Sequence, residues 1–193
     1  MSGHDAFRDT SIDVFCDGSF RPPFAGGWGV CLFSRAGAFP MRQFFGAAVV
    51  TTSFEAELLA ALEGLRRVPD GAHVTLYTDC AQIREGFGAL QARAEAASVL
   101  KVKPLRSRER RKANPTLLAA TRERMAALWK AVWKELKRLA GVKVRNAKAR
   151  PEGLGVAHQL SRRGSAQCET LLRRGTLSQP ALSSLPWLTP VST

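Results

Sequence analysis

The chain has 193 residues, 45% of them hydrophobic, with 29 Lys+Arg against 16 Asp+Glu and a formal net charge of +13. That length suits one domain with an ordinary core, and no apolar run reaches the roughly 18 residues a spanning helix needs. Cys16, Cys31, Cys80 and Cys168 show no paired spacing and residues 1–10 lack the basic and apolar stretches of a secretory signal, which excludes a disulfide-stapled secreted class and points to reduced thiols in the cytoplasm.

In chain order, residues 11–17 alternate as a strand does, followed by a turn at Gly18-Ser19 and a Pro/Gly loop over 21–27. Residues 29–34 and 39–50 read as two further strands joined by a tight turn at Arg35-Ala36-Gly37, which makes an antiparallel meander. Thr52 and Glu55 have the capping-box spacing, and Phe54, Leu58, Ala61, Leu62 and Leu65 keep helical spacing to about Arg67. Pro69-Asp70-Gly71 ends that helix. Residues 73–78 form a short strand, and Asp79 is placed to cap a helix over 81–94. Residues 101–112 are either a loop or a short helix with frayed ends.

Residues 116–140 form a strong amphipathic helix, with Leu117, Leu118, Met125, Leu128, Trp129, Val132, Trp133, Leu136 and Leu139 as its apolar stripe. Lys130, Lys134, Lys137 and Arg138 lie largely away from that stripe, and Gly141 stops the helix. Residues 142–147 read as a last strand and 154–174 as a last helix. Residues 175–193 are uncharged and rich in Ser, Thr and Pro, the composition of a disordered tail. Residues 1–10 thus form an N-terminal extension, 11–174 one domain that includes a basic segment at 101–140, and 175–193 the tail. The order of elements indicates a mixed α/β sheet with helices packed on its faces.

The charge is concentrated. Residues 101–150 hold 17 Lys/Arg against three acids, so the remainder holds 12 against 13 and is nearly neutral. A segment that owns the whole imbalance points to a polyanionic partner, nucleic acid ahead of membrane. Trp129 and Trp133 read as core residues first, because their spacing continues the apolar stripe, and Trp28 after a Gly-Gly pair is ambiguous.

Three acids fall where strands and a helix would bring them together: Asp17 ends the first strand, Glu57 lies early in the first helix and Asp79 ends the fourth strand. Converging carboxylates repel unless a cation sits between them, and Mg²⁺ or Mn²⁺ prefers oxygen ligands. Two such ions about 4 Å apart suit phosphodiester hydrolysis. Asp17 could instead be turn chemistry and Asp79 only a cap. Glu55 fits the capping box, and Glu57 two residues on faces nearly the other way, so the first is structural and the second a site residue.

Asp17-Gly18-Ser19 with Gly26-Gly27-Trp28-Gly29-Val30 resembles the first hairpin of the ribonuclease H family, type 1. Residues Ala56 to Leu62 are similar to its first helix and Leu76-Tyr77-Thr78-Asp79-Cys80 to its fourth strand, so the resemblance spans about residues 11–172. It implies a ribonuclease H-like fold: a five-stranded mixed sheet, three antiparallel strands first, helices on both faces. It also implies two Mg²⁺ ions held by Asp17, Glu57 and Asp79, and hydrolysis of the RNA strand of an RNA–DNA hybrid. The family often carries a basic protrusion where the basic segment lies. Lys101, Lys103, Arg106, Arg108, Arg110, Arg111, Lys112, Lys130 and Lys134 are therefore expected to contact phosphates.

Two departures stand out. The family's fourth carboxylate usually begins the last helix in a pattern like Ala-Asp-x-Leu-Ala, and this chain has Ala157-His158-Gln159-Leu160-Ser161. His158 is thus expected as the fourth catalytic and metal-binding residue, with Mn²⁺ favoured over Mg²⁺ because imidazole suits softer ions and adds no negative charge. The family's His after the last strand is best matched by Arg150, which as a permanent cation would contact phosphate; Glu152 could approach the site instead. The expected activity is a hybrid-cutting endoribonuclease. The alternative is a weak or inactive module of the same fold that binds hybrid or double-stranded RNA, and exonuclease or transposase-type domains share the sheet. Segments of the tail around Leu182 and Leu185-Pro186-Trp187-Leu188 are apolar enough to engage a protein partner.

Overall fold

The structure, a computed structural model, describes residues 11–35, 42–94 and 115–176. Its elements are β1 (Ser11–Arg21), β2 (Ala25–Ser34), β3 (Arg42–Val49), α1 (Ser53–Arg66), β4 (His73–Thr78), α2 (Ala81–Ala94), α3 (Pro115–Arg138), β5 (Gly141–Asn146), a single 3₁₀ turn (Ala147–Ala149) and α4 (Pro151–Arg173). The strands form one mixed sheet in the order β3-β2-β1-β4-β5, with β1, β2 and β3 antiparallel and β4 and β5 parallel to β1. This is the mixed α/β architecture expected above. The extension, the tail from 177 and residues 101–114 of the basic segment lie outside the described residues. Among the described residues no helix is long and apolar enough to cross a membrane.

Strand alternation divides the side chains between two layers. Ile12, Val14, Cys16, Trp28, Val30, Leu32, Val74 and Leu76 join the main core with α1, and α3 closes that core through Met125, Leu128, Trp129 and Val132. The opposite face carries Phe15, Cys31 and Tyr77 under the start of α4, with Ala147 and Ala157. Trp28 and Trp129 are both buried, and Trp129 meets Phe87 edge to face. Trp133 packs against the same core.

Three local readings change, the first two for a tertiary reason and the third for a local one. The turn expected at Gly18-Ser19 is strand: β1 runs on to Arg21, with Gly18 opposite Trp28 and Ser19 opposite Gly27. Gly18 is required by close approach, since a Cβ there would stand 2.2 Å from the backbone nitrogen of Glu57. The loop expected over 21–27 shrinks to residues 22–24, because Gly27 and Gly29 let β2 run directly beneath α4; a Cβ on either would fall within 2.2 Å of that helix's backbone. The last helix begins at Pro151 rather than 154, because proline suits the first turn and its missing N–H leaves nothing unpaired there.

Glu55 anchors α3 to α1. It is fully buried and accepts hydrogen bonds from the backbone N–H (2.7 Å) and hydroxyl (2.8 Å) of Thr51, while Thr52 Oγ1 caps the helix by accepting from the Glu55 N–H. Arg124 of α3 completes the environment by pairing with Glu55 and donating to the Val49 carbonyl oxygen. At the far end Arg138 does not face outward as a phosphate ligand would. It donates to the carbonyl oxygens of Leu65 and Val68 and pairs with Glu135 and Asp70. Replacing Arg124 by Met leaves the Glu55 carboxylate buried without its cation and is expected to cost about 3–5 kcal/mol. Urea unfolding of Arg124→Met beside wild type measures this, and a loss below about 1 kcal/mol would contradict the assignment.

Candidate active site

Three elements deliver one carboxylate each to the same end of the sheet. Asp17 lies in β1 on the face covered by α4, Glu57 projects from the first turns of α1, and Asp79 follows the last residue of β4. One oxygen from each lies within 4.8 Å of the others. The Gly18 N–H donates to Glu57 Oε2 at 3.0 Å, so the glycine that admits α1 also orients its carboxylate.

Asp79 is free for this cluster because it is not the cap of α2. Cys80 occupies that position: its thiol accepts from the backbone N–H groups of Gln82 and Ile83, and its own N–H donates to Thr78 Oγ1 at 3.1 Å. Arg84 steadies the turn by donating to the carbonyl oxygens of Thr78 and Asp79. Asp79 itself is exposed.

Electrostatics mark the cluster as a place short of positive charge. Burial, then the charges of Asp17 and Asp79, push the Glu57 carboxyl up to about 9. Asp17 is also raised, mainly by burial, although Ser161 and His158 pull it back down. Cys16, beneath Glu57, is raised well above the ordinary thiol range, burial being the largest cause. Among the described residues no Lys or Arg pairs with Asp17, Glu57 or Asp79. Three convergent oxygen donors with no cationic side chain between them could hold a hard divalent ion.

His158 stands beside the cluster on α4, more than half exposed, with Nδ1 3.2 Å from Asp17 Oδ2. The mutually close set of ligand atoms consists of the three carboxylates; the imidazole reaches Asp17 only. Ser161 was not anticipated from the sequence. Its buried hydroxyl donates to the same Asp17 oxygen at 2.5 Å. The one available signal was its place three residues after His158, where the resembling pattern has Ala.

Arg150 lies away from the cluster. Its guanidinium donates to Asp13 Oδ2 at 2.9 Å and to Glu152 at 3.1 Å, and it sits over the rings of Phe15 and Tyr77. Asp13 is fully buried and is held from the other side by Arg35. Asp13 and Asp17 lie four strand positions apart, about 13 Å. Glu152 is exposed beside Arg150 and does not approach Asp17. Lys130 and Lys134 are exposed on the outer side of α3. Lys101, Lys103, Arg106, Arg108, Arg110, Arg111 and Lys112 lie outside the described residues.

Comparison with known proteins identifies the family to which this fold belongs. The RNase H family model matches residues 9–150, and the chain belongs to that family, whose members generally use divalent metals. The chain is 34% identical over 78 residues to a ribonuclease H of Hahella chejuensis, an alignment covering 40% of this chain and 51% of that protein. It is 39% identical over 77 residues to a ribonuclease H of Paracidovorax citrulli, covering 39% of this chain and 50% of the relative. The chain thus spans about half the length of these curated relatives. Among solved structures, the N-terminal RNase H domain of a Mycobacterium tuberculosis protein superposes with a TM-score of 0.57 at 14% identity, over 83% of this chain and 97% of that one. LC9-RNase H1, described as a type 1 RNase H with the type 2 active-site motif, gives 0.57 at 17% identity over 82% of this chain and 74% of its own. These likenesses establish the fold.

Proposed function

We propose that the protein is an endoribonuclease that hydrolyses the RNA strand of RNA–DNA hybrids. The observation that carries this reading is the convergence of Asp17, Glu57 and Asp79 within 4.8 Å in a chain of this family. Those three side chains would hold two divalent ions. When bound, such ions activate water and stabilise the leaving oxygen of an in-line displacement at phosphorus.

The protein's own residues supply the rest. The Gly18 N–H holds Glu57 in place, and Arg84 and Cys80 hold the turn that presents Asp79. The phosphate contacts are assigned to the Lys and Arg residues of 101–112 with Lys130 and Lys134. α3 supports this, since it extends from Arg124 back to Pro115 past the end of α1 that carries Glu55 and Glu57. Arg150 offers the backbone only the part of its guanidinium that Asp13 and Glu152 leave uncommitted. Such contacts read shape and charge rather than base identity, so binding would be strongly salt dependent and nearly indifferent to sequence. One domain over 11–174 and a cytoplasmic location fit the family and the free thiols.

His158 is the proposed fourth site residue. With its proton on Nδ1, facing the Asp17 carboxylate, the imidazole would present the Nε2 lone pair to a metal. Because imidazole suits softer ions than Mg²⁺, hybrid cleavage at saturating metal is expected to run several-fold to about tenfold faster in Mn²⁺ than in Mg²⁺. Equal rates would remove the preference. The functional reading is tested by cleavage of an end-labelled RNA–DNA hybrid, with single-stranded RNA and duplex DNA as controls. Cuts confined to the RNA of the hybrid support it; tight hybrid binding with no cuts in either metal replaces it with a binding module.

A further inference from the structure

Exposed cations also gather on the layer of the sheet opposite α3. Strand alternation turns Lys143 and Arg145 of β5 away from Val142 and Val144, which pack in the main core, and onto the face that carries α4. β5 is parallel to β4 and β4 to β1, so two rows of side chains cross that face: Asp13, Thr75 and Lys143, then Phe15, Tyr77 and Arg145. α4 packs across β1, β2 and β3 and leaves both β5 cations exposed. Arg35 and Arg150 stand over the same rows. Arg35 pairs with Asp13 and donates to Thr75 Oγ1 at 3.3 Å, and Arg150 sits above the rings of Phe15 and Tyr77. The second row comes two positions before Asp17 and Asp79, about 7 Å along the strands from the carboxylate cluster.

The two acids on this surface are already spent on arginines. Asp13 is fully buried between Arg35 and Arg150, and Glu152 accepts from Arg150 Nε at 3.1 Å. Lys143 and Arg145 form no ion pair among the described residues, so positive charge is in surplus. Asp13 engages one edge of each guanidinium and fixes its orientation, while the Arg35 and Arg150 side chains stay 51% and 40% exposed. Guanidiniums held in this way need little further ordering to bind phosphate. Cations on an edge strand commonly serve to keep the sheet from pairing with another chain. That role accounts for Lys143 and Arg145 but not for two arginines fixed over the same rows by a buried aspartate.

We propose that this open part of the sheet face is a second phosphate-binding surface, with Arg35, Lys143, Arg145 and Arg150 as donors, along which the backbone of a hybrid seated at the carboxylate cluster continues. The proposal rests on the hybrid as the substrate and adds where its backbone runs. Lys130 and Lys134 belong to α3 in the other layer, so the two basic surfaces flank the carboxylate end of the sheet. The rings of this face, Phe15 and Tyr77, are buried, so it holds phosphates rather than stacking bases.

The test is binding of a fluorescently labelled RNA–DNA hybrid to the full chain in chelator, followed by anisotropy across a range of salt. Wild type is compared with Lys143→Gln combined with Arg145→Gln, and with Lys143→Thr combined with Arg145→Thr, whose β-branched side chains suit a strand. Arg173→Gln combined with Arg174→Gln removes the same charge from exposed positions at the far end of α4 and serves as the control. Thermal unfolding verifies that each variant folds. Either β5 pair is expected to weaken binding about fivefold or more at about 0.1 M salt and to lower the slope of log affinity against log salt by about 2, while the control changes affinity by less than about twofold. Affinity and slope equal to the control in a folded β5 variant would overturn the proposal and leave Lys143 and Arg145 as guards of the sheet edge. Cleavage measured with metal restored separates the readings. Weakened binding by the β5 variants, with no cleavage by wild type, sinks the nuclease and leaves the surface standing; cleavage by wild type with undiminished binding by the variants does the reverse. A wild type that binds no hybrid sinks both.

Discussion

Asp79→Asn is expected to lower hybrid cleavage by on the order of a thousandfold or more while leaving the fold intact. The activity loss follows from the ligand set: asparagine keeps an oxygen of the same reach but removes one of three negative charges that would hold the ions. The fold survives because the Asp79 side chain is exposed and its turn is held by other groups. Cys80 caps α2, Thr78 accepts from the Cys80 N–H, and Arg84 binds backbone carbonyls rather than the carboxylate. Without metal, the variant is expected to be as stable as wild type or slightly more so, since a charge that raises Glu57 has been removed. End-labelled hybrid and thermal unfolding measure the two effects. Wild-type cleavage by a folded Asp79→Asn protein would mean that the three-carboxylate site is not where the chemistry occurs.

In the absence of metal, stability is expected to fall as pH rises from about 5 to about 9, by on the order of a few kcal/mol. The cause is Glu57, whose carboxyl is pushed up to about 9 by burial and by Asp17 and Asp79, against an ordinary value of 4.5. Between those values the folded chain holds a proton that the unfolded chain has released. Its stability is then greatest below the unfolded value and declines until the folded value is passed. Asp17 is raised as well and adds a slope of the same sign. Urea midpoints measured in chelator across this range should decline for wild type and decline much less for Glu57→Gln. Parallel slopes in the two proteins would place the titration elsewhere. A divalent ion must displace the same proton, so its apparent affinity should strengthen by up to about tenfold per pH unit below pH 9, with proton release on binding.

Much of the scaffold was legible because its signals are local. The stripe of Met125, Leu128, Trp129 and Val132 repeats at helical spacing, and those residues are core. Thr52 caps α1 through a bond between residues three apart, and β4 at His73–Thr78 matches its alternating, β-branched sequence. The three acids could be picked out because each stands where a strand ends or a helix begins, and the connectivity leaves them one end of the sheet to share.

Other features depended on contacts that no local pattern encodes. Gly18, Gly27 and Gly29 look like turn residues, but each is a point where a strand meets a helix backbone at van der Waals distance or closer. Asp79 has the chemistry of a helix cap, and only the geometry of the turn hands that task to Cys80. Arg150 reads as a free cation until Asp13, 137 residues earlier, is found buried beneath it. Ser161 and Asp17 are 144 positions apart. Sequence by itself thus determined which residues line the sheet, which helix carries the basic face and which three carboxylates are candidates, because periodicity and capping act within a few residues. The tertiary structure decided which oxygens of those carboxylates remain open, because hydrogen-bond donors are assigned by the packing of α4 across β1 and β2, a contact between opposite ends of the chain.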